Sequence, residues 1–194
     1  MIIRMLDAER QTLNKRMILP TTYMGSVEWY RQFLAIPSAV QIEVMESFPK
    51  QTYRNRCTIT TPDGLLTLSV PVKRADSKQL TRDVEISYQQ KWQHQHWIAL
   101  MSAYKRTPYF DYYADYFRPF YEKETKFLVD LNEGFHEVIV SLMANKALCK
   151  ETIGLYGENR TSDWQRLDLE SCFGNGQSIL DLLFEYGPET VIKI

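Results

Sequence analysis

With 194 residues, 44% of them hydrophobic and 24% charged, the chain has the composition of an ordinary globular domain and enough apolar mass for one packed core. Its 23 basic and 24 acidic residues leave a formal charge of −1, which excludes the broad cationic field of a nucleic-acid binder or of a protein held on an anionic membrane. No 18 apolar residues run together, so no membrane span is expected, and charges interrupt the opening residues too soon for a signal peptide.

The cysteines, Cys57, Cys149 and Cys172, are odd in number and widely spaced. That pattern argues against a disulfide framework or a zinc knuckle and fits a reducing, cytoplasmic setting.

In chain order, Met17-Ile18-Leu19 closed by Pro20 predicts a first strand within residues 16–22. Ser26 then precedes Val27, Trp29, Tyr30, Phe33 and Leu34, a helical spacing with an N-cap serine, and Pro37 ends it. Residues 39–45 alternate, with Val40, Ile42 and Val44 on one side, as in a half-buried strand. Strand, helix and strand make a βαβ unit and imply parallel pairing. Residues 57–61 and 65–72 flank Pro62-Asp63-Gly64, a hairpin signal in which Gly64 supplies a positive φ. Another strand is expected at 83–87, after a polar loop at 74–78.

Helical spacing begins at Trp92, runs to about Lys105, breaks at Pro108 and resumes over 111–117. A long helix over 122–145 carries Phe127, Leu131, Phe135, Val138 and Leu142 as its apolar stripe. Beyond Gly154, Gly157, Gly174 and Gly176 the pattern predicts a helix at 178–184 and a last strand at 190–194. With no repeat and no linker, the expectation is one α/β domain over 1–194. It has a βαβ start, a mixed sheet including a β-hairpin, helices packed on that sheet and a helical second half.

The dinucleotide, phosphate-loop, zinc-protease and serine-hydrolase motifs are all absent. The densest polar run is Lys50-Gln51-Thr52-Tyr53-Arg54-Asn55-Arg56. If extended, it puts Arg54 and Arg56 on one face and Tyr53 and Asn55 on the other. Two guanidinium forks suit a phosphate or carboxylate. The plainer reading is a solvated strand edge whose arginines pair with Glu43 and Glu46. His94 and His96 point about 200° apart on a helix and cannot share a metal ion. His96 lies on the stripe of Trp92 and Leu100, which makes it a hydrogen-bonded histidine at the core edge or a general acid or base. His136, among acidic residues, reads as surface. Nine aromatic residues between Tyr104 and Tyr121 read mainly as helix packing, with sugar stacking as the alternative. No metal site is expected, and no residue pattern names a cofactor.

Three segments resemble the WbqC-like family in its shorter, Bacteroidetes-type form. They are Ile18-Leu19-Pro20-Thr21-Thr22-Tyr23 with the Glu28-Trp29-Tyr30 helix; Lys50–Cys57 continued by Leu68-Ser69-Val70-Pro71-Val72-Lys73; and Trp92…His96-Trp97, Thr107-Pro108-Tyr109-Phe110 and Leu128-Val129-Asp130-Leu131-Asn132. The resemblance implies bacterial surface-polysaccharide (O-antigen) biosynthesis and a transferase-like role on a sugar-nucleotide or sugar-phosphate ligand. A non-catalytic binding or scaffold protein of such a cluster is the alternative. On the enzymatic reading Glu43 or His96 acts as acid or base, and Tyr23, Tyr53, Arg54, Asn55, Arg56 and Lys73 border the ligand. Longer relatives open with His-Gln-Pro where Ile18-Leu19-Pro20 stands here, so a histidine function at that place passes to another residue or is absent.

Overall fold

Two short apolar runs and the helix between them organise the fold. In the computed structural model, residues 16–35, 40–49, 52–73, 78–143, 154–156, 164–166 and 176–194 are described, with backbone alone at 16, 154–156 and 164–166. Cys149, Cys172, Lys50, Gln51, residues 1–15, most of the 74–78 loop, Gly157, Gly174 and the 144–145 end of the predicted long helix lie outside the described residues.

Strand β1 (Arg16–Pro20) and strand β2 (Val40–Glu43) pair in parallel, Leu19 opposite Ile42 and Pro20 opposite Glu43. Helix α1 (Val27–Ala35) connects them and buries Trp29, Tyr30 and Phe33. The Ser26 hydroxyl oxygen accepts the Trp29 N–H at 3.1 Å, satisfying a donor the helix itself cannot reach. The βαβ expectation therefore holds.

Strands β3 (Arg56–Thr61) and β4 (Gly64–Ser69) form an antiparallel hairpin in which Thr61 opposes Gly64. Gly64 has φ +117°, the conformation its place in the turn requires. The predicted strand at 83–87 is reduced to a 3₁₀ turn, Thr81–Asp83, and isolated bridges Val72↔Ile86 and Glu85↔Phe127.

Helices α2 (Trp92–Tyr104), α3 (Phe110–Phe117), α4 (Pro119–Glu122) and α5 (Leu128–Met143) follow. The single helix expected from 122 is cut over residues 123–127. There Thr125 donates its N–H to the Tyr88 hydroxyl at 2.8 Å, Phe127 bridges to Glu85, and Leu128 N–H bonds the Val84 carbonyl at 2.9 Å. Backbone groups captured by a neighbouring segment cannot also join a helical ladder.

Strands β5 (Gly154–Tyr156) and β6 (Trp164–Arg166) complete a parallel sheet in the order β5-β2-β1-β6. Parallel and antiparallel pairing thus both occur, divided between this sheet and the separate hairpin. Helix α6 (Ile179–Tyr186) is N-capped by Ser178, the residue expected to begin the helix itself. The strand expected at 190–194 is instead a helical turn, α7 (Thr190–Lys193). Its threonine hydroxyl bonds the Gly187 carbonyl at 2.7 Å, and Val191 and Ile192 are both exposed, so the apolar run has no sheet face to fill.

One hydrophobic cluster joins the described elements, from Leu19 and Trp29 through Ile59 and Val70 to Leu100, Phe135 and Leu183. Among the described residues no helix is long and apolar enough to cross a membrane.

Candidate functional site

The chain leaving β1 is tied down at Thr21, Thr22 and Tyr23. The Tyr53 carbonyl accepts both the Tyr23 N–H and the Thr22 hydroxyl at 3.1 Å. The Asn132 amide nitrogen, on α5, donates to Thr21 Oγ1 at 3.1 Å and to the Arg54 carbonyl at 2.8 Å. Trp29 Nε1 donates to the Pro20 carbonyl at 2.9 Å. Four segments therefore meet just past the carboxyl end of β1, the position where open parallel sheets place ligands.

A small cleft of about 20 Å³, partly open to solvent, occupies this junction. Thr21, Thr22 and Ile42 line it from the strand ends, Trp29 from α1, and Val129, Asn132, Glu133 and His136 from α5. Asn132 and His136 stand one helical turn apart, in the row Leu128–Asn132–His136–Val140, all buried. Each presents a buried polar atom without a partner among the described residues: Asn132 Oδ1 and His136 Nε2. Buried polar atoms are normally paired, so these two stand out among the residues that line the cleft.

The imidazole of His136 is fixed by aromatic neighbours. Its centroid lies 4.6 Å from Phe33, 5.3 Å from Trp29 and 5.7 Å from Tyr30, the last nearly parallel. Burial lowers its pKa to about 4, so the ring is neutral at physiological pH. Nδ1 lies 3.3 Å from the Tyr30 hydroxyl, whose own pKa is raised by burial. Donation from that phenol to Nδ1 gives a buried O–H its acceptor and leaves the remaining imidazole proton on Nε2. Glu133 at the rim has its pKa raised, chiefly by burial and further by Glu137 and Asp130.

The residues singled out in the sequence fall elsewhere, and the placement of Arg54 and Arg56 on one extended face is corrected. Residues 52–55 form a turn and β3 begins only at Arg56. The turn sends Arg54 inward: it is 1% exposed, its Nε donates to Glu46 Oε1 at 2.6 Å, and its Nη2 pairs with the same carboxylate. Asn55 donates its amide to the Val70 carbonyl at 2.9 Å, tying the turn to the chain beyond β4. Arg56 retains a buried Nε without an acceptor among the described residues. Tyr53 contributes its carbonyl to the junction, and its hydroxyl stands against Gly176, where an added Cβ would come within 2.2 Å. Glu43 is buried and its carboxylate accepts the Met45 N–H at 2.8 Å.

His96 and Tyr23 meet in a second buried network. Tyr23 Oη lies 2.9 Å from His96 Nδ1 and 3.2 Å from Tyr121 Oη. Burial lowers the pKa of His96 to about 4, partly offset by a hydrogen bond to the Ser69 backbone. This matches the core-edge reading of His96, and neither side chain lines the cleft. Lys73 borders a separate open groove with Glu85 and Lys126, where it donates to Glu85 at 2.6 Å. Cys57 is buried, and burial pushes its thiol pKa far up, leaving it a protonated core side chain. No three histidine, cysteine or carboxylate side chains among the described residues gather at metal-ligand spacing.

His136 is the functional candidate the sequence reading misplaced on the surface. The signal lay in the spacing: Leu128, Asn132, His136 and Val140 repeat every four residues beside the Leu131–Phe135 stripe. A helix buried on two adjacent rows carries its polar members inside.

Fold and site together define an α/β protein with a small, mostly apolar cleft outside the carboxyl ends of two parallel strands. The model of the WbqC-like protein family matches residues 27–167, more than half of the chain, and the chain belongs to that family. The matched stretch carries Trp29, Ile42, Asn132, Glu133 and His136 of the cleft. No curated protein and no solved structure matches the chain significantly.

Proposed function

We propose that the protein is a transferase-like enzyme of bacterial surface-polysaccharide (O-antigen) biosynthesis, acting on a sugar nucleotide or sugar phosphate. The observation that carries this reading is the cleft at the end of β1 and β2, lined by Asn132 and His136, whose buried Oδ1 and Nε2 have no partner among the described residues. No lysine or arginine among the described residues lines the cleft, so the reading assigns it the sugar end of the ligand and leaves the phosphate outside. With Arg54 engaged by Glu46, the reading gives that phosphate to Arg56, which is half-buried. His136 then takes the acid-base place first given to Glu43 or His96, because it lines the cleft and they do not.

The test is a thermal-unfolding panel with sugar nucleotides, free sugars, acyl-CoA and pyridoxal phosphate. A ligand at one hundred times its dissociation constant adds about 2.7 kcal/mol. A sugar nucleotide is expected to raise the midpoint in wild type and to lose that effect in His136→Phe. Stabilisation by acyl-CoA or pyridoxal phosphate alone would overturn the reading.

The second reading, a non-catalytic binding protein, is favoured by Ile18 at the place where longer relatives carry histidine. It predicts the same stabilisation with no turnover of the sugar nucleotide.

A further inference from the structure

Although 24% of the chain is charged, Asp63 alone carries charge between Arg56 and Lys73. The hairpin is nonetheless on the surface. Every residue of β4 except Leu68 is exposed, Leu65 at 71% and Leu66 at 41%. Val70 N–H bonds the Asn55 carbonyl at 2.8 Å, continuing the ladder between β3 and β4. Alternation then turns the backbone groups of Leu66 and Leu68 toward β3 and those of Leu65, Thr67 and Ser69 outward. Part of this outer edge is in use. Ser87 N–H bonds the Pro71 carbonyl and Lys73 N–H bonds the Glu85 carbonyl, both at 2.8 Å, while His96 engages the Ser69 backbone. Nothing among the described residues bonds the outward groups of Leu65 and Thr67. Edge strands are ordinarily blunted by a lysine, a proline or a bulge. Gly64–Ser69 holds neither residue, and its register with β3 is unbroken.

We propose that β4 docks against β4 of a second copy, the two strands pairing antiparallel about a two-fold axis at Leu66 and joining the hairpins into one four-stranded sheet. The free groups set this register: Leu65 of each copy exchanges backbone bonds with Thr67 of the other, and Leu66 faces its own counterpart. A contact between identical strands tolerates no excess of one charge, and Gly64–Ser69 carries no charge at all. In the same register the partner's Asp63 falls opposite Ser69, whose neighbour across the hairpin is Arg56. Carboxylate and guanidinium then share one sheet face at both ends, with the Leu66 pair between them. A foreign strand would have to bring its own matching charges to both ends, whereas this strand already has them.

Sedimentation velocity of the full chain from low-micromolar to sub-millimolar concentration tests it, with circular dichroism as the check that each variant folds. The wild type is expected to pass from monomer to dimer. Leu66→Lys and Leu66→Glu each set like charges against one another on the axis and should each weaken self-association on the order of tenfold. An equimolar mixture of the two variants should recover the dimer. Amide hydrogen exchange on the unaltered protein supplies a readout that needs no substitution: the Leu65 and Thr67 N–H groups should gain protection as concentration rises. A wild type that stays monomeric throughout, or protection at Leu65 and Thr67 that ignores concentration, would overturn the proposal. So would a dimer that either single variant leaves intact, because the contact would then lie elsewhere. A mixture that stays monomeric would also overturn it, because Leu66 would not face its counterpart.

Discussion

His96 and His136 are buried at 5% and 7% exposure, while His94 is exposed. For the buried pair the folded-state pKa, about 4, lies below the ordinary 6.5, so the unfolded chain takes up protons first as the pH falls. The stability held by burying neutral imidazoles is therefore complete above about pH 6.5 and lost as the pH falls toward 4. It amounts to roughly 3 kcal/mol for each ring. The urea midpoint should fall through that window, and His136→Phe should flatten the fall by about half. A wild-type midpoint constant from pH 7 to 4 would contradict the neutral, buried rings. Arg54 makes a different prediction, because its guanidinium is buried against Glu46. Arg54→Ala should destabilise by roughly 3 kcal/mol, and Arg54→Lys by less, since lysine keeps the charge and loses the fork. Chemical denaturation separates this structural role from ligand binding. At this scale the sequence was least legible. Whether Arg54 points out or in depends on the turn at 52–55, and whether His136 is wet depends on α1 lying across α5. Neither is a local property of the residues concerned.

Elements were more legible, because capping and turn chemistry are local. Ser26 and Ser178 cap the helices that they precede, and Gly64 takes the positive φ that its turn implies. Gly64→Val should cost roughly 1–3 kcal/mol from backbone strain alone, since a Cβ at that position meets nothing within 4 Å. Ser26→Ala should cost about 1 kcal/mol by stripping the Trp29 N–H of its acceptor. Unchanged denaturation midpoints in both variants would mean that neither local device contributes. The failures share a cause. The break before Leu128 and the helical end at Thr190–Lys193 are set by bonds to other segments, to Glu85 and Tyr88 far off in sequence for the first and to the neighbouring α6 for the second. A period-two or period-3.6 pattern reports a side chain's neighbours along the chain and not the segment lying against it.

For the whole molecule, the βαβ start and the hairpin were readable, and the motif order that resembled the WbqC-like family agrees with the family match over residues 27–167. The site was not readable as a whole, because its members come from the exits of β1 and β2, from α1 and from α5, up to about a hundred positions apart. The central proposal is that ligand binds at the cleft at those strand ends, with His136 neutral. Long-range nitrogen–proton NMR of the three histidines during titration with UDP-N-acetylglucosamine tests it most directly. The account predicts a neutral His136 with the proton on Nε2 at pH 7, and ligand-induced shifts at His136 with His94 and His96 unmoved. Shifts confined to His94 or His96, or a His136 that is charged at pH 7, would contradict it.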